Sequence, residues 1–262
     1  MVDAQEAVIL DIRSVKAYAE GHLEGAVNVP YHAWRGPEDN PGALISEDKL
    51  TLLLSEAGVE PDFPVVVTYQ GEGTLDFGSA ARVYWTLKSA GVEDIAILNG
   101  GVEAWVEAGY GLTTFEGANF PSDQGFSFAA DWLIDREGVA EIVEGRSDAI
   151  LVDARPHAFF SGEEKHEFAA WAGTLADALN IDHARWFTGG NVLAVTPGEA
   201  RDAARAAGWE PGTPVVSFCN TGHWAATNWF VLSEIAGIEG VKLYPESLVG
   251  WTRHQDRLAS GG

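Results

Sequence analysis

One cysteine stands out among the residues whose type and position could do chemistry. Cys219 ends the apolar run PVVSFC (214–219), and a short loop with a glycine, NTGH (220–223), follows it. A helix-like segment then runs to Gly237, the kind of residue at which helices end. A strand, a tight loop and a helix start in this order direct several backbone N–H groups and the positive end of the helix dipole at one point. We therefore expect Cys219 to be a thiolate nucleophile, with loop amides that stabilise an anion bonded to its sulfur.

A second interpretation of the same cysteine is structural. A lone cysteine at the end of a buried strand is often an inert, small apolar side chain. The glycine-containing loop and the helix start that follow Cys219 favour the reactive interpretation.

The elements that must position Cys219 belong to a pattern that the chain contains twice. In both copies an apolar strand ends in Asp, one residue, then Arg, and these are Asp11 and Arg13, then Asp153 and Arg155. Alignment at a later strand places Gln70 at the position of Cys219, so only the second copy carries a nucleophile. The matching segments keep one order: AVILDIRS (7–14) with AILVDARP (149–156), AVNVP (26–30) with ALNID (178–182), PVVVTYQ (64–70) with PVVSFC (214–219), and LNGGVEAW (98–105) with YPESLVGW (244–251).

The repeated pattern predicts an α/β protein of two tandem domains. Short β-branched runs are typical of buried parallel strands, and helical stretches such as 46–58 and 196–208 alternate with them. We expect each domain to be a mostly parallel sheet covered by helices on both faces. The predicted bounds are 1–113 for the first domain, 114–127 for a linker rich in turn residues, and 128–262 for the second domain.

The two copies begin differently, and this bears on the compartment. A helical lead-in (129–145) precedes the strand of the second copy, whereas only seven residues precede that of the first. The first copy is therefore either abbreviated or shortened by removal of a targeting segment. No signal-like start and no apolar run of membrane-spanning length is visible. This predicts a soluble protein of the cytoplasm or, after removal of such a segment, of the periplasm.

The formal net charge of −23 limits the class of partner. So acidic a surface repels phosphate backbones and anionic lipids, which argues against nucleic-acid binding and membrane attachment. No glycine-rich nucleotide fingerprint follows a strand, so we expect no cofactor of that kind. The spacing of one group of metal-ligand types fits no recognised metal site: His157, Glu163, Glu164 and His166. The sequence leaves the oligomeric state open.

The matching segments together resemble the tandem-domain rhodaneses, the thiosulfate and 3-mercaptopyruvate sulfurtransferases. The resemblance is carried by DIRSVKAYAEGHLEGAVNVPY (11–31), LNGGVEAW (98–105) and CNTGHWAA (219–226), the last at the length of that family's active-site loop. It implies that Cys219 takes sulfane sulfur from a small anionic donor as a persulfide and passes it to a thiol or cyanide acceptor. It also implies a catalytically inactive first domain, since that domain has no cysteine.

The resemblance assigns roles to residues around Cys219. Arg155 would face the negative group of the donor, in a pocket at the cleft between the two halves. Trp34 is either part of the wall of this pocket or an ordinary packing residue. His223 is a proton-transfer group or a turn residue, and Trp224 covers the sulfur or anchors the helix. The persulfide anion would be held through the amides of five residues: Asn220, Thr221, Gly222, His223 and Trp224.

The match departs from both donor classes. Thiosulfate-type loops resemble Cys-Arg-Lys-Gly and mercaptopyruvate-type loops resemble Cys-Gly-Ser-Gly, whereas Asn220 and Thr221 follow the cysteine here. Phe159 stands where the mercaptopyruvate class has a further arginine. Lys165 or His166, in a longer stretch over 161–180, could replace a lost cation or could simply be solvated. The donor is therefore left open between thiosulfate and 3-mercaptopyruvate.

Two other functions compete with small-molecule sulfur transfer. A persulfide carrier or sensor fed by a protein partner, with little small-molecule turnover, suits the uncharged loop. Phosphatases of the same fold need an arginine six residues after the cysteine to bind phosphate oxygens. Ala225 lies at that position, which argues against phosphatase activity.

Overall fold

The computed structural model describes residues 6–117, 120–187 and 191–254, which form two compact units. Each unit also includes a short stretch that lies, in sequence, within the other repeat. The repeat pattern of the sequence does not predict this exchange. Among the described residues, no helix is long and apolar enough to cross a membrane. Unit 1 comprises residues 6–35, 45–117, 120–129 and 191–193, and unit 2 comprises residues 36–44, 130–187 and 194–254.

Unit 1 is built on a four-stranded parallel sheet of strand order β2-β1-β3-β4. A 3-10 turn over Tyr31–Trp34 follows β2. The elements in chain order are β1 (Val8–Asp11), α1 (Val15–Glu20), β2 (Ala26–Asn28), α2 (Glu47–Glu56), β3 (Val65–Thr68), α3 (Thr74–Ser89), β4 (Ile95–Ile97) and α4 (Gly101–Glu107).

Unit 2 repeats this architecture with the strand order β6-β5-β7-β8, again all parallel. A 3-10 turn over His183–Trp186 follows β6, and a π-helical turn over Val231–Ile235 continues α8. The elements are α5 (Arg136–Val143), β5 (Ile150–Asp153), α6 (His157–Ser161), β6 (Leu179–Asn180), α7 (Pro197–Ala207), β7 (Val215–Phe218), α8 (Trp224–Phe230), β8 (Val241–Leu243) and α9 (Ser247–Arg253).

Local sequence signals determine where the predicted helices begin and end. Ser46 caps α2 by accepting a hydrogen bond from the Lys49 amide at 3.2 Å. Thr196 and Glu199 form a reciprocal capping box on α7, and Gly208 ends that helix at φ +112°. Both helices are confirmed, and so is the α/β class with two parallel sheets.

The strand that leads to Cys219 is buried over its whole length because structure covers both of its faces. On one face, Val216 and Phe218 of β7 belong to a core cluster with Trp251 of α9. On the other face, the Ser217 hydroxyl donates to the carbonyl oxygen of Ala225 in α8 at 2.9 Å. A strand buried on both faces needs no polar alternation, which explains a run that is apolar except for Ser217, whose hydroxyl has a partner.

The helical lead-in predicted over 129–145 is helical only in its second half. α5 begins at Arg136, after Asp135 as its cap. Before it, the chain lies along β8: the Ile134 amide donates to the Leu243 carbonyl at 3.1 Å, and the Leu243 amide donates to the Trp132 carbonyl at 3.0 Å. The edge of the sheet thus binds backbone groups that a helix would have used internally.

The stretch predicted as a linker, 114–127, packs on unit 1, although residues 118 and 119 lie outside the described part of the chain. The Ser122 hydroxyl donates to the Val59 carbonyl oxygen at 2.7 Å, and the Phe126 amide donates to the Thr51 hydroxyl at 2.9 Å. The Phe126 side chain is buried. A composition rich in turn residues predicts irregular backbone, but it does not reveal whether that backbone is held by a neighbouring surface.

The strand pairing corrects the alignment of Cys219 with Gln70. The last paired residue of β3 is Thr68 and that of β7 is Phe218, each opposite the aspartate that ends the neighbouring strand. The next residue is Tyr69 in unit 1 and Cys219 in unit 2. Tyr69, and not Gln70, therefore stands at the position of the cysteine. Aligning Pro64 with Pro214 at the starts of the two runs gives the same register, and the pairing of each strand with its neighbour fixes it.

Candidate active site

Cys219 follows the last paired residue of β7, and it is 1% exposed. We call residues 219–224 the cysteine loop; it ends at Trp224, the first residue of α8. The start of α9 holds this loop, because the Leu248 amide donates to the Cys219 carbonyl oxygen at 3.1 Å and the Val249 amide donates to the Asn220 carbonyl oxygen at 2.9 Å. Two segments far apart in sequence therefore fix the backbone that carries the thiol.

Ser247 touches the cysteine directly. Its hydroxyl oxygen accepts a hydrogen bond from the Cys219 amide at 3.0 Å, and its O–H group donates to the Tyr244 carbonyl oxygen at 2.9 Å. Ser247 is fully buried and adopts φ +52°, a left-handed conformation that costs a non-glycine residue about 1–2 kcal/mol. The counterpart in unit 1 is a glycine, Gly101, at φ +64°. Sequence reasoning missed this contact, although the loss of the glycine between LNGGVEAW and YPESLVGW was a signal for it.

Arg155 is buried, at 2% exposure, and it contacts the cysteine loop through the side chain of Asn220. Its guanidinium forms an ion pair with Asp153 at 2.6 Å and donates to the Gly173 carbonyl oxygen at 2.8 Å. Its remaining described bond goes to the Asn220 side-chain oxygen at 3.2 Å. The structure thus brings the Asp-Ala-Arg strand to the loop, where the described partners of Arg155 are groups of the protein itself, Asn220 among them.

Unit 1 contains the same arrangement without a cysteine. Arg13 forms an ion pair with Asp11 at 2.6 Å and donates to the Gly21 carbonyl oxygen at 2.7 Å. It also reaches the Gln70 side-chain oxygen at 3.5 Å. Since the pair occurs where there is no thiol, its shared task in both units is to tie the end of one strand to the loop that follows the neighbouring strand. A buried arginine of this kind is costly to desolvate and must keep its partner.

The loop of unit 1 that corresponds to the cysteine loop already binds a carboxyl group. We call residues 69–74 the tyrosine loop; like the cysteine loop, it ends at the first residue of a helix. The Gly71 and Glu72 amides donate to one carboxylate oxygen of Asp76 at 2.6 and 3.2 Å. Burial raises the pKa of Asp76 above its usual value, and these two hydrogen bonds partly offset that rise. The residue at the corresponding position of unit 2 is Ala226, which is buried and uncharged.

The residue at the place of the cysteine in unit 1 has no nucleophilic character. Tyr69 is 1% exposed, and its phenol oxygen accepts a hydrogen bond from the Gly100 amide at 3.1 Å. Burial raises the pKa of Tyr69 to about 12, so the phenol is neutral at physiological pH. A neutral, buried phenol does not attack a sulfur donor.

Aromatic rings lie at both ends of the cysteine loop. The Phe159 ring is 6.0 Å from the Arg155 guanidinium and 5.8 Å from the Trp224 ring, which it meets edge to face. The Trp224 ring also stacks on the His183 ring at 4.8 Å, with 10° between the planes. We call Phe159, Trp224 and His183 the aromatic stack. It gives the surroundings of the loop an apolar character that no single motif had indicated.

Three residues of the cysteine loop complete the predicted set. Gly222 is buried and adopts φ +71°, so the bend of the loop requires a residue without a side chain. Thr221 and His223 are partly exposed, and each has further interactions with its surroundings.

Other sequence candidates lie elsewhere. Trp34 is 1% exposed, and its indole N–H donates to the Val29 carbonyl oxygen at 3.0 Å within unit 1, which is the packing role. Lys165 donates to the Ala169 carbonyl oxygen at 2.9 Å, and His166 Nδ1 accepts from the Phe168 amide at 3.3 Å, so both bind their own stretch of chain. In the part of the chain that the structure describes, no three metal-ligating side chains form a cluster.

The chain is similar to known proteins over most of its length. The model of the rhodanese-like domain matches residues 1–108 and 135–254. A thiosulfate sulfurtransferase of Pseudomonas aeruginosa is 28% identical over 257 residues, which are 97% of this chain and 90% of the relative. A sulfur carrier protein of Thermus thermophilus, TtuD, is 28% identical over an alignment of 250 residues, which covers 89% of this chain and 83% of the relative.

Solved structures share the fold. The anaerobic ergothioneine biosynthesis enzyme of Chlorobium limicola superimposes with a TM-score of 0.85 at 20% identity. The similarity covers 100% of this chain and 66% of the solved chain, so this chain spans about two thirds of its length. At this identity the similarity shows a common architecture only.

Proposed function

The chain belongs to the family of rhodanese-like domains, and we propose that it is a sulfurtransferase that carries sulfane sulfur on Cys219 as a persulfide. The names of relatives over most of the chain support sulfur transfer as the activity. The proposed donor is a small anion, thiosulfate or 3-mercaptopyruvate, and the proposed acceptor is a thiol or cyanide. Unit 2 would hold the active site, and unit 1, with Tyr69 at the place of the cysteine, would be catalytically inactive.

The proposed reaction has two half-reactions. The Cys219 thiolate attacks the outer sulfur of thiosulfate, the donor's sulfur–sulfur bond breaks, and sulfite leaves with the bonding electron pair. With 3-mercaptopyruvate a carbon–sulfur bond breaks instead, and the methylene carbon takes the electron pair and the thiol proton to give pyruvate. Cyanide or a thiolate then attacks the outer sulfur of the persulfide. The product is thiocyanate or a new persulfide, and the Cys219 thiolate is restored.

The strongest support comes from the tyrosine loop of unit 1. In that loop two consecutive amides donate to one carboxyl oxygen of Asp76, and these hydrogen bonds lower its pKa against the effect of burial, as donors that favour a negative group do. The cysteine loop has the same length and the same position between strand and helix, but Ala226 there has no carboxylate. The outer sulfur of a persulfide on Cys219 would be the corresponding negative group, and preoriented amides stabilise such a group without reorganisation. Asn220, Thr221, Gly222, His223 and Trp224 are the proposed binding residues.

Arg155 contributes to this site through Asn220 in our proposal. Its guanidinium is buried and engaged by Asp153, Gly173 and Asn220. It therefore acts as a positioning residue that keeps the first residue after the cysteine in place. The donor would meet the loop and its amides, and Arg155 would contact the loop only through Asn220.

Intact mass spectrometry tests the persulfide. The protein is incubated with thiosulfate, and separately with 3-mercaptopyruvate, and we expect a gain of one sulfur, about 32 Da, on an activated thiolate. Cyanide should then restore the original mass and release thiocyanate. Cys219→Ser should show neither change. No gain with either donor would overturn the small-molecule reaction.

A second candidate function is a persulfide carrier or sensor that receives sulfur from a protein partner. It is favoured by the uncharged side chains of Asn220 and Thr221 and by the name of the Thermus relative, a sulfur carrier protein. A carrier should load one sulfur per chain yet form thiocyanate slowly over many cycles without its partner. Rapid, repeated turnover with a small donor would favour the enzyme instead.

A further inference from the structure

The aromatic stack places ring surface at both ends of the cysteine loop. Phe159 lies 6.0 Å from Arg155, which holds the first loop side chain after the cysteine, and 5.8 Å from Trp224, which ends the loop. Both Phe159 and Trp224 are partly exposed. Partly exposed aromatic surface therefore lies beside the side chain that binds Asn220 and at the last residue of the loop that carries the thiol.

The stack is held rigidly. His183 is 3% exposed, and its ring covers one face of Trp224 in a nearly parallel stack at 4.8 Å. The Nδ1 atom of His183 is in turn 3.2 Å from the Ala154 carbonyl oxygen, next to the Asp-Ala-Arg strand end. A ring fixed in this way loses little conformational freedom when a ligand packs against it, so contact energy is retained as affinity.

The charges around the loop disfavour a doubly negative donor. The guanidinium of Arg155 is paired with the Asp153 carboxylate at 2.6 Å, so the pair is neutral as a whole. The loop side chains Asn220 and Thr221 carry no charge, and the formal net charge of the chain is −23. Because repulsion grows with the charge of the ligand, a dianion is repelled about twice as strongly as a monoanion at the same place.

From these contacts we propose that Phe159 and Trp224 select a singly charged sulfane-sulfur donor that carries an aromatic group, in preference to thiosulfate. The inference rests on the proposed persulfide function of Cys219. For an aryl thiosulfonate, the Cys219 thiolate attacks the outer sulfur, the sulfur–sulfur bond of the donor breaks, and the aryl sulfinate leaves with the electron pair. The aryl ring would pack on the aromatic stack while the outer sulfur meets the thiol.

Three donors that transfer the same kind of sulfur test this proposal. Benzenethiosulfonate and methanethiosulfonate are both monoanions with one reactive group and differ in the ring, whereas thiosulfate is a dianion. We expect kcat/KM for thiocyanate formation to be about tenfold higher with the benzene donor than with the methane donor, as aromatic packing of this strength provides. Thiosulfate should be the poorest of the three. Equal values for the two monoanions, or the highest value for thiosulfate, would overturn the proposal.

Paired variants locate the effect. Phe159→Leu should reduce the ratio of benzene to methane donor, whereas Phe168→Leu, an exposed phenylalanine of the same unit outside the stack, should leave the ratio unchanged. Phe159→Arg should raise kcat/KM for thiosulfate relative to the benzene donor. Phe168→Arg adds the same charge to the protein and should not change that order. An unchanged ratio in Phe159→Leu would contradict the assignment to the stack.

Measuring persulfide formation on Cys219 distinguishes a failure of this inference from a failure of the proposed function. If intact mass shows a gain of one sulfur with all three donors but no preference for the ring, only the donor class is wrong. If no donor adds sulfur to Cys219, the persulfide function fails and the donor class fails with it.

Discussion

The hydroxyl oxygen of Ser247 lies 3.0 Å from the amide nitrogen of Cys219, and it accepts that hydrogen bond from a left-handed backbone at φ +52°. In unit 1 the equivalent backbone conformation is supplied by Gly101, at φ +64°. The serine therefore keeps a conformation that disfavours its side chain, and in return its hydroxyl holds the cysteine backbone. We infer that Ser247 is a positioning residue for the thiol.

Replacing Ser247 separates its backbone cost from its hydrogen bonds. Ser247→Ala keeps the strained conformation and leaves the Cys219 amide and the Tyr244 carbonyl unpaired, which should destabilise the protein by about 1–3 kcal/mol. Ser247→Gly loses the same bonds but relieves about 1–2 kcal/mol of strain, so it should be more stable than the alanine variant. Both should lower kcat for sulfur transfer. Urea unfolding and steady-state kinetics measure the two effects.

Asp177 provides the control for backbone strain. It is the other described non-glycine residue with positive φ, at +58°, it is exposed, and the aligned residue in unit 1 is Gly25 at φ +77°. Asp177→Gly should stabilise the protein by about 1 kcal/mol without changing kcat. Loss of activity in this variant, or full activity in Ser247→Gly, would contradict the positioning role.

A carboxylate introduced at Ala226 should block the site. Because Asp76 fills the amides of the tyrosine loop, Ala226→Asp should place a negative oxygen where the persulfide would lie. We expect sulfur loading of Cys219 to fall at least about tenfold, the effect of 1.4 kcal/mol of lost binding. Ala226→Ser adds volume without charge and should lose much less. Equal loss in both variants, measured by intact mass, would point to packing instead of charge.

The two buried arginines allow a comparison within one chain. Arg155→Lys and Arg13→Lys each lose the planar fork that binds the neighbouring aspartate, and each should destabilise the protein by about 1–3 kcal/mol. Only Arg155→Lys should also lower kcat, because its partner Asn220 belongs to the cysteine loop.

A double-mutant cycle identifies how Arg155 acts. If it works through Asn220, the kcat losses in Arg155→Lys and Asn220→Ala should be strongly non-additive. A specific rise in KM for the donor in Arg155→Lys, with kcat retained, would show direct donor binding instead.

Asp76 should give a pH-dependent difference in stability. Burial raises the pKa of its carboxyl in the folded protein, so the folded state binds this proton more tightly than the unfolded state does. The stabilisation linked to protonation is complete below the unfolded pKa, about 3.9, and is lost as the pH rises through the folded value. Asp76→Asn should therefore be more stable than the wild type at pH 7, and this difference should shrink as the pH falls. Denaturant unfolding across this range checks it, and a pH-independent difference would contradict it.

Much of the fold follows from local patterns. Helix caps at Ser46 and Thr196 satisfy backbone groups within one turn, so nearby residues suffice to predict them. The apolar strand with Asp-Ala-Arg and the cysteine at a strand end could also be located, since the repeat marks both. The lead-in at 129–145 was half wrong because its first residues bind the edge of β8, a partner more than a hundred residues away.

The sequence by itself determined that one chain holds two copies of an α/β pattern, and that a single thiol follows a buried strand in the second. These properties can be predicted because burial and helix capping depend directly on residue type and local spacing. Tertiary structure alone decided that Ser247 holds the Cys219 amide and that Arg155 is engaged by Asp153 and Asn220. Strand register and side-chain partners depend on packing between distant segments, where a shift of one residue turns a side chain to the opposite face.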